Sequence, residues 1–141
     1  MDINYSNTIT VSDYNNLRKS AGWGEFNERQ AQAGINNSKY LVAAYQDNAA
    51  VGMARLISDG GCVIVILDVV VLPEYQKKGI GKTMMKMIMS FIESNLNSDD
   101  TAYIALMAAK GKEDFYKKFG FNERPDELHG AGMTQWITKK N

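Results

Sequence analysis

Apolar residues in the first forty positions recur at helical spacing. Residues 10–13 have the Ser/Thr-x-x-acid form of a capping box, and Tyr14 and Leu17 then follow three positions apart. This pattern predicts a short first helix. Residues 25–33 predict a second, weaker helix, which is closed by Gly34 together with Asn36 and Asn37.

Runs of β-prone residues follow these helices. Residues 40–45 and 51–57 flank a short polar connection and predict a hairpin. Residues 62–72 form an apolar run that only Asp68 interrupts, and its β-branched residues do not alternate with polar ones. Such a run is typical of a strand covered on both faces, so we predict it to be the central strand.

An amphipathic helix is predicted after this strand and extends to about residue 95. Its apolar positions are Ile80, Met84, Met87, Ile88 and Phe91.

Short elements alternate in the rest of the chain. Residues 103–108 predict a second buried strand, and residues 112–119 predict a short helix capped by Gly120. We predict a further strand from Phe121 and a last strand at residues 133–138. The order predicts an α/β (α+β) sandwich with a mixed, mostly antiparallel sheet and one parallel crossover through the long helix.

Composition is that of one globular domain over residues 1–141, because 45% of the residues are apolar and no linker or repeat is visible. The 16 basic and 16 acidic residues give zero net charge, which argues against a nucleic-acid partner. The single Cys62 excludes an intramolecular disulfide and a cysteine zinc site, and we expect it to be buried.

The first seven residues lack the basic start and apolar run of a signal peptide. No apolar stretch reaches the roughly 20 residues that span a bilayer. We therefore expect a cytoplasmic protein with no membrane partner.

A glycine-containing loop joins the strand at residues 62–72 to the long helix. Helix N-termini bind anions, and Gly79 and Gly81 would let a phosphate approach the backbone. An ordinary turn with a solvated basic rim has the same pattern. The spacing excludes a P-loop, because Gln76 stands where glycine is needed, and a dinucleotide fingerprint, because Met84 replaces its third glycine.

Two segments resemble the GNAT superfamily of acyl-CoA-dependent N-acyltransferases. Residues 67–82 (LDVVVLPEYQKKGIGK) are similar to its cofactor motif, and residues 115–121 (FYKKFGF) are similar to its Tyr-x-x-x-Gly-Phe motif. With the order of elements, the resemblance covers residues 39–138. It implies a GNAT-like three-layer sandwich in which the strand-loop-helix crossover binds CoA.

The resemblance implies an enzyme that uses acetyl-CoA as co-substrate, without a metal, and acetylates a primary amine of a small molecule by direct attack in a ternary complex. The implied cofactor-binding residues are Val69, Val70, Val71, Gln76, Lys77, Lys78, Gly79, Ile80, Gly81, Lys82, Thr83 and Phe115. Tyr116 is implied as the general acid beside the thioester sulfur. Ala109 stands where the family often has an asparagine, so on that side pantetheine would contact backbone groups.

A general base is useful, because an alkylamine with a pKa of about 10.4 is almost fully protonated at pH 7. Asp68 is the first candidate, and a structural role as acceptor for loop N–H groups is the alternative. Other candidate bases, acting through water, are Glu25, Glu28 and Glu74. We expect His129 to be solvated.

The resemblance also places the amine acceptor between the first two helices and the last loops. Trp23, Glu25 and Phe26 are the implied substrate residues, as an aromatic wall and an anion for a cationic amine.

A non-catalytic acyl-CoA sensor would need no acid, so Tyr116 favours the enzyme over that alternative. A methionine-lined interaction module is disfavoured because Met84 and its neighbours lie on a core stripe. The sequence is compatible with a homodimer.

Overall fold

In the computed structural model, which describes residues 2–140, the chain divides into one unit up to residue 107 and another from residue 108. The strands are β1 (Ile3–Ser6), β2 (Tyr40–Gln46), β3 (Ala49–Ser58), β4 (Val63–Val71) and β5 (Tyr103–Leu106). The helices are α1 (Val11–Ser20), α2 (Glu28–Asn36), α3 (Ile80–Ser94) and α4 (Glu113–Lys117), of which only α4 belongs to the second unit. A single domain over residues 1–141 stays a prediction, and its two end residues lie outside the described part.

The sheet has the strand order β1-β2-β3-β4-β5. Neighbouring strands are antiparallel except β4 and β5, which are parallel. The prediction of a mostly antiparallel sheet with one crossover through α3 is confirmed. The predicted central strand is β4, one place from the edge, and Val63 on it is 43% exposed. Its coverage on both faces is therefore only partial.

The helices of the first unit cover both faces of the sheet. A Cβ on Gly52 would lie 3.2 Å from the Met84 side chain of α3. The next residue, Met53, belongs to the core cluster that contains Tyr14 and Leu17 of α1. Because successive strand residues point to opposite faces, α1 and α3 lie on opposite sides of the sheet. This arrangement confirms the three layers.

Helix α1 begins as the capping box predicts, because the Thr10 hydroxyl accepts from the Asp13 N–H at 3.1 Å. Helix α2 begins at Glu28 and continues through Gly34. Of the residues predicted to close α2, Gly34 lies inside the helix, whereas Asn36 is its last residue and Asn37 its C-cap. The Gly34 carbonyl accepts from Arg55 Nη1 at 3.2 Å, and a Cβ there would lie 3.7 Å from the Arg55 Nη2 atom. The Arg55 guanidinium therefore packs on the helix at Gly34, where a Cβ would be in ordinary contact with it.

Strand β1 was not predicted, because four residues at the edge of a sheet give too short a pattern. The strands predicted from Phe121 and at residues 133–138 were wrong, since residues 121–140 contain no strand. In that segment Met133 and Trp136 are 89% and 81% exposed. An extended run without a hydrogen-bonded neighbour has nothing to stabilise it as a strand. Cys62 is exposed rather than buried, because it lies in the bend before β4 begins.

Candidate functional site

Strand β4 extends beyond the end of its parallel neighbour. The β4–β5 pairing ends where Ile66 lies opposite Leu106. Among the described strands none pairs with residues 67–71 on that side. Backbone N–H and C=O groups on this edge can therefore pair with an extended ligand.

A β-bulge marks the place where β4 separates. Leu67 pairs with Arg55 and Val70 pairs with Met53, so Asp68 and Val69 both stand opposite Ala54. Asp68 has a φ of +56°, in the left-handed region that aspartate tolerates better than most residues.

The Asp68 carboxylate is surrounded by three side-chain donors, and its side chain is only 9% exposed. The Tyr14 hydroxyl donates to Oδ2 at 2.7 Å, Arg18 Nη1 donates to Oδ1 at 2.9 Å, and Arg55 Nε donates to Oδ2 at 2.7 Å. Burial and then the hydrogen bond to Asp68 raise the pKa of Tyr14. Because both oxygens already accept charged donors, Asp68 would have to give up an ion pair to take a proton.

The loop after β4 has the backbone shape of an anion cradle. A 3-10 turn over Pro73–Tyr75 leads to Lys77 and Gly79, whose φ angles are +62° and +86°. Gly79 caps α3, and the first intrahelical bond runs from the Thr83 N–H to the Gly79 carbonyl at 3.0 Å. The N–H groups of residues 80–82 therefore have no intrahelical acceptor.

Two side chains hold this loop or lie on it. Gln76 Nε2 donates to the Val71 carbonyl at 2.9 Å. The Lys78 ammonium lies 5.7 Å from the centre of the Tyr75 ring. The Ile80 side chain is buried, so this residue offers a ligand only its backbone. The side chains of Lys77, Lys78 and Lys82 are on exposed residues and add positive charge at the helix start.

The three predicted substrate residues share the segment between α1 and α2. The Arg18 guanidinium carbon lies 4.1 Å from the Phe26 ring centre and 5.6 Å from the Trp23 ring centre. Glu25 Oε1 lies 2.8 Å from Lys19 Nζ in an ion pair that is half exposed. The Glu25 charge is therefore already compensated, which weakens its predicted role as an anion for the amine.

Tyr116 lies on α4 in the second unit and is 8% exposed. Its ring contacts those of Phe115 and Phe121 edge to face, with centres 5.0 and 6.3 Å apart. Helix α4 ends at Lys117, two residues before the predicted end, and Gly120, with a φ of +90°, lies in the turn that follows it. Burial raises the pKa of Tyr116 to about 12, so the phenol keeps its proton at neutral pH.

A family model described as an acetyltransferase (GNAT) domain matches residues 10–136. The chain belongs to this family.

Individual proteins agree with this assignment. The GNAT chain is 30% identical over 135 residues to the uncharacterized N-acetyltransferase ycf52 of Porphyra purpurea, covering 92% of this chain and 75% of that protein. It is 28% identical to the chloroplastic GCN5-related N-acetyltransferase 2 of Arabidopsis thaliana, covering 86% and 54%. A crystal structure of a Staphylococcus aureus protein of unknown function superposes with a TM-score of 0.86 at 31% identity, covering 96% and 100%. The protein is therefore an N-acetyltransferase of the GNAT family, whose acetyl donor is acetyl-CoA.

Several residues around Asp68 were not singled out from the sequence. Tyr14, Arg18 and Arg55 all contact the Asp68 carboxylate, and Asn15 lies buried beside them. The one available signal was Arg55, a charge inside an otherwise apolar β-prone run.

The remaining candidates lie at the surface. Glu28 and Glu74 are exposed. His129 is also exposed, and its Nδ1 atom lies 2.9 Å from Asp126 Oδ1; this hydrogen bond lowers the pKa of Asp126.

Within residues 2–140 no group of three or more His, Cys, Asp or Glu side chains is placed to hold a metal ion. No helix in the same range is long and apolar enough to cross a membrane.

Proposed function

We propose that this GNAT enzyme transfers the acetyl group of acetyl-CoA to the primary amine of a small molecule, by direct attack in a ternary complex. The observation that carries the proposal is the continuity of two features. The unpaired edge of β4 leads without interruption into the loop and first turn of α3. An extended thioester ligand could therefore place its arm along the β4 edge and its phosphates at the adjacent start of α3.

In this proposal the backbone of Val69, Val70 and Val71 pairs with the pantetheine arm. The N–H groups at the start of α3 hold the pyrophosphate, and the surface there is open, because a Cβ on Gly79 would meet nothing within 4 Å. The lysines at positions 77, 78 and 82 strengthen the attraction for phosphate. Ligand selection here relies mainly on backbone groups.

Tyr116 donates its phenolic proton toward the departing thiolate in the proposed reaction. With a pKa of about 12 against about 8.5 for a thiol, full proton transfer is uphill by about 5 kcal/mol. A strong hydrogen bond from the phenol to the developing thiolate avoids most of that cost. Tyr116 therefore stabilises charge on sulfur more than it delivers a free proton.

Asp68 remains the candidate general base, with a positioning role as the alternative. The three donors on its carboxylate favour positioning, because both carboxylate oxygens are already occupied by hydrogen bonds. If Asp68 only positions, the amine loses its proton to water or to one of the exposed carboxylates. The cytoplasmic location and the homodimer stay predictions.

A turnover screen tests the proposal. The protein is incubated with acetyl-CoA and representative small amines, including alkylamines, arylalkylamines, polyamines and amino sugars, and with peptides bearing free N-termini or lysines. Thiol release above the rate without amine is the readout. We expect at least one small amine to be the best substrate. Acetylation confined to the peptides would contradict the small-molecule part of the proposal.

A further inference from the structure

Two buried polar residues of α1 hold the segment that contains the predicted substrate residues. Asn15 and Arg18 are 8% and 6% exposed and lie one helical turn apart. Asn15 Nδ2 donates to the Phe26 carbonyl at 3.0 Å, and its Oδ1 accepts from the Phe26 N–H at 3.1 Å. The side-chain amide thus pairs with both polar backbone groups of one loop residue.

Arg18 connects the same segment to the sheet. Its Nε donates to the Gly24 carbonyl at 3.1 Å and its Nη2 to the Trp23 carbonyl at 3.3 Å. Its Nη1 donates to Asp68 at 2.9 Å. The Phe26 ring covers the guanidinium at 4.1 Å. One side chain therefore joins residues 23–26 to the bulge of β4.

The fold alone does not require this arrangement. Replacing a buried ion pair by well-packed apolar side chains is often neutral or stabilising. The segment itself has no regular structure, and Gly22 and Gly24 have φ angles of +79° and +75°. A flexible connection of this kind keeps one position only when neighbouring groups hold it. Asn15 and Arg18 supply those groups.

Arg18 attaches residues 23–26 to a specific position on β4. Asp68 lies two positions beyond Ile66, the last β4 residue paired with β5. A ligand that continues the sheet along β4 would pass next to the residue to which Arg18 is bound. The aromatic segment is therefore placed beside the start of the unpaired edge.

We propose that Asn15 and Arg18 are positioning residues that hold residues 23–26 as a preformed wall of the amine site. In this role they determine the affinity for the amine, while binding of acetyl-CoA on the β4 edge and the α3 start is independent of them. The inference rests on the proposed function for the identity of the second substrate. The position of the wall can be measured without any turnover.

The structure provides a matched control in Arg55. Its Nε forms an equally short ion pair with Asp68, but its Nη1 reaches Gly34 of α2 and not residues 23–26. Arg18→Lys and Arg55→Lys each keep the charge and lose the planar fork of donors. We expect both variants to lose similar thermal stability. Relative to Arg55→Lys, which reports the cost of disturbing Asp68 alone, Arg18→Lys is expected to raise the KM for the best amine by a further factor of about ten or more, with acetyl-CoA affinity changing by less than about threefold in both.

Fluorescence supplies the second readout. Trp23 becomes the sole tryptophan in a Trp136→Phe background, because the chain has two. Acrylamide quenching of Trp23 is expected to increase in Arg18→Lys and in Asn15→Ala, and to increase clearly less in Arg55→Lys. If Arg18→Lys fails to fold, Asn15→Ala carries both measurements, since it removes the Phe26 hydrogen bonds without disturbing a charge.

The results test the positioning role and the proposed function separately. Equal changes in amine KM and quenching for the Arg18 and Arg55 variants, or none for the Arg18 and Asn15 variants, would overturn the positioning role. A wild-type protein that acetylates no small amine would overturn the proposed function, and the quenching data would still decide whether these residues hold the wall.

Discussion

The side-chain amide of Gln76 donates to the backbone carbonyl of Val71 at 2.9 Å. The bond spans the 3-10 turn at Pro73–Tyr75 and joins the end of β4 to the loop before α3. The two parts of the proposed CoA surface are thereby kept at a fixed separation. A ligand that contacts both parts benefits from this, because less chain has to be ordered on binding.

Gln76→Leu should weaken CoA binding without unfolding the protein. The variant keeps the approximate size of the side chain and removes one hydrogen bond worth about 0.5–1.5 kcal/mol, or a rise of about two- to tenfold in Kd. Calorimetric titration with CoA measures the change. A pantetheine fragment that lacks the pyrophosphate should lose less affinity, since it does not contact both parts. An equal loss for fragment and CoA would contradict the bridging role.

Gly79→Ala tests the start of α3. Its φ of +86° costs a residue with a Cβ about 1–2 kcal/mol, so relaxation should move the N–H groups that we propose bind the phosphates. Gly60→Ala is the control, because Gly60 has a φ of +84° and nothing within 4 Å of a Cβ. Both variants should lose similar stability in urea unfolding. Only Gly79→Ala should weaken CoA binding. An equal loss of CoA affinity in both variants would mean that the effect comes from general destabilisation.

Tyr116→Phe should lower kcat by about 10²–10⁴ with little change in CoA affinity, because it removes the hydroxyl and keeps the ring among Phe115 and Phe121. Steady-state turnover with the best amine, together with CoA titration, provides the measurement. Tyr5→Phe in β1 is a control for loss of a hydroxyl elsewhere. Turnover of Tyr116→Phe at the wild-type rate would leave Tyr116 as a packing residue.

Stability at alkaline pH should also depend on Tyr116. Burial raises its folded-state pKa from 10.0 to about 12, so the folded protein holds the phenolic proton more tightly than the unfolded chain. The resulting stability is fully present below pH 10 and is lost as the pH rises toward 12. Urea unfolding between pH 9 and pH 12 should therefore show a smaller decline for Tyr116→Phe. The same slope in both proteins would mean that the phenol is accessible to solvent in the folded state.

Asp68→Asn separates the two roles of this residue. Asparagine suits the backbone conformation but leaves the Arg18 and Arg55 charges without their carboxylate, so we expect a loss of about 3–5 kcal/mol in unfolding free energy. If Asp68 is the base, the pH–rate profile of the folded variant loses its acidic limb. An unchanged profile assigns deprotonation to another group. A variant that melts like the wild type would contradict the ion-pair network itself.

The sequence was most informative where the signal is local. The capping box of α1 and the strand-loop-helix crossover from β4 to α3 depend on a few adjacent residues, and both were predicted. The loop chemistry followed from the same short stretch. Local patterns therefore predicted the segment that we propose binds CoA.

The partners of Asp68 could not be predicted in this way. They lie 13, 50 and 54 positions away along the chain, and no local pattern shows which side chains the fold brings to a bulge. The bulge itself adds one residue to the strand and changes the face on which later side chains point. At residues 133–138 the opposite error arose, because β-prone composition alone does not supply a neighbouring strand.

The left-handed backbone at Asp68 also restricts how the enzyme can vary. A φ of +56° is well tolerated by glycine, asparagine and aspartate, while the two guanidinium groups require a short carboxylate. Glutamate supplies the negative charge but suits the left-handed backbone poorly. Glycine and asparagine suit the backbone but carry no charge. Among these residues aspartate alone satisfies both demands, so we expect position 68 to tolerate substitution less than the apolar positions of the same strand.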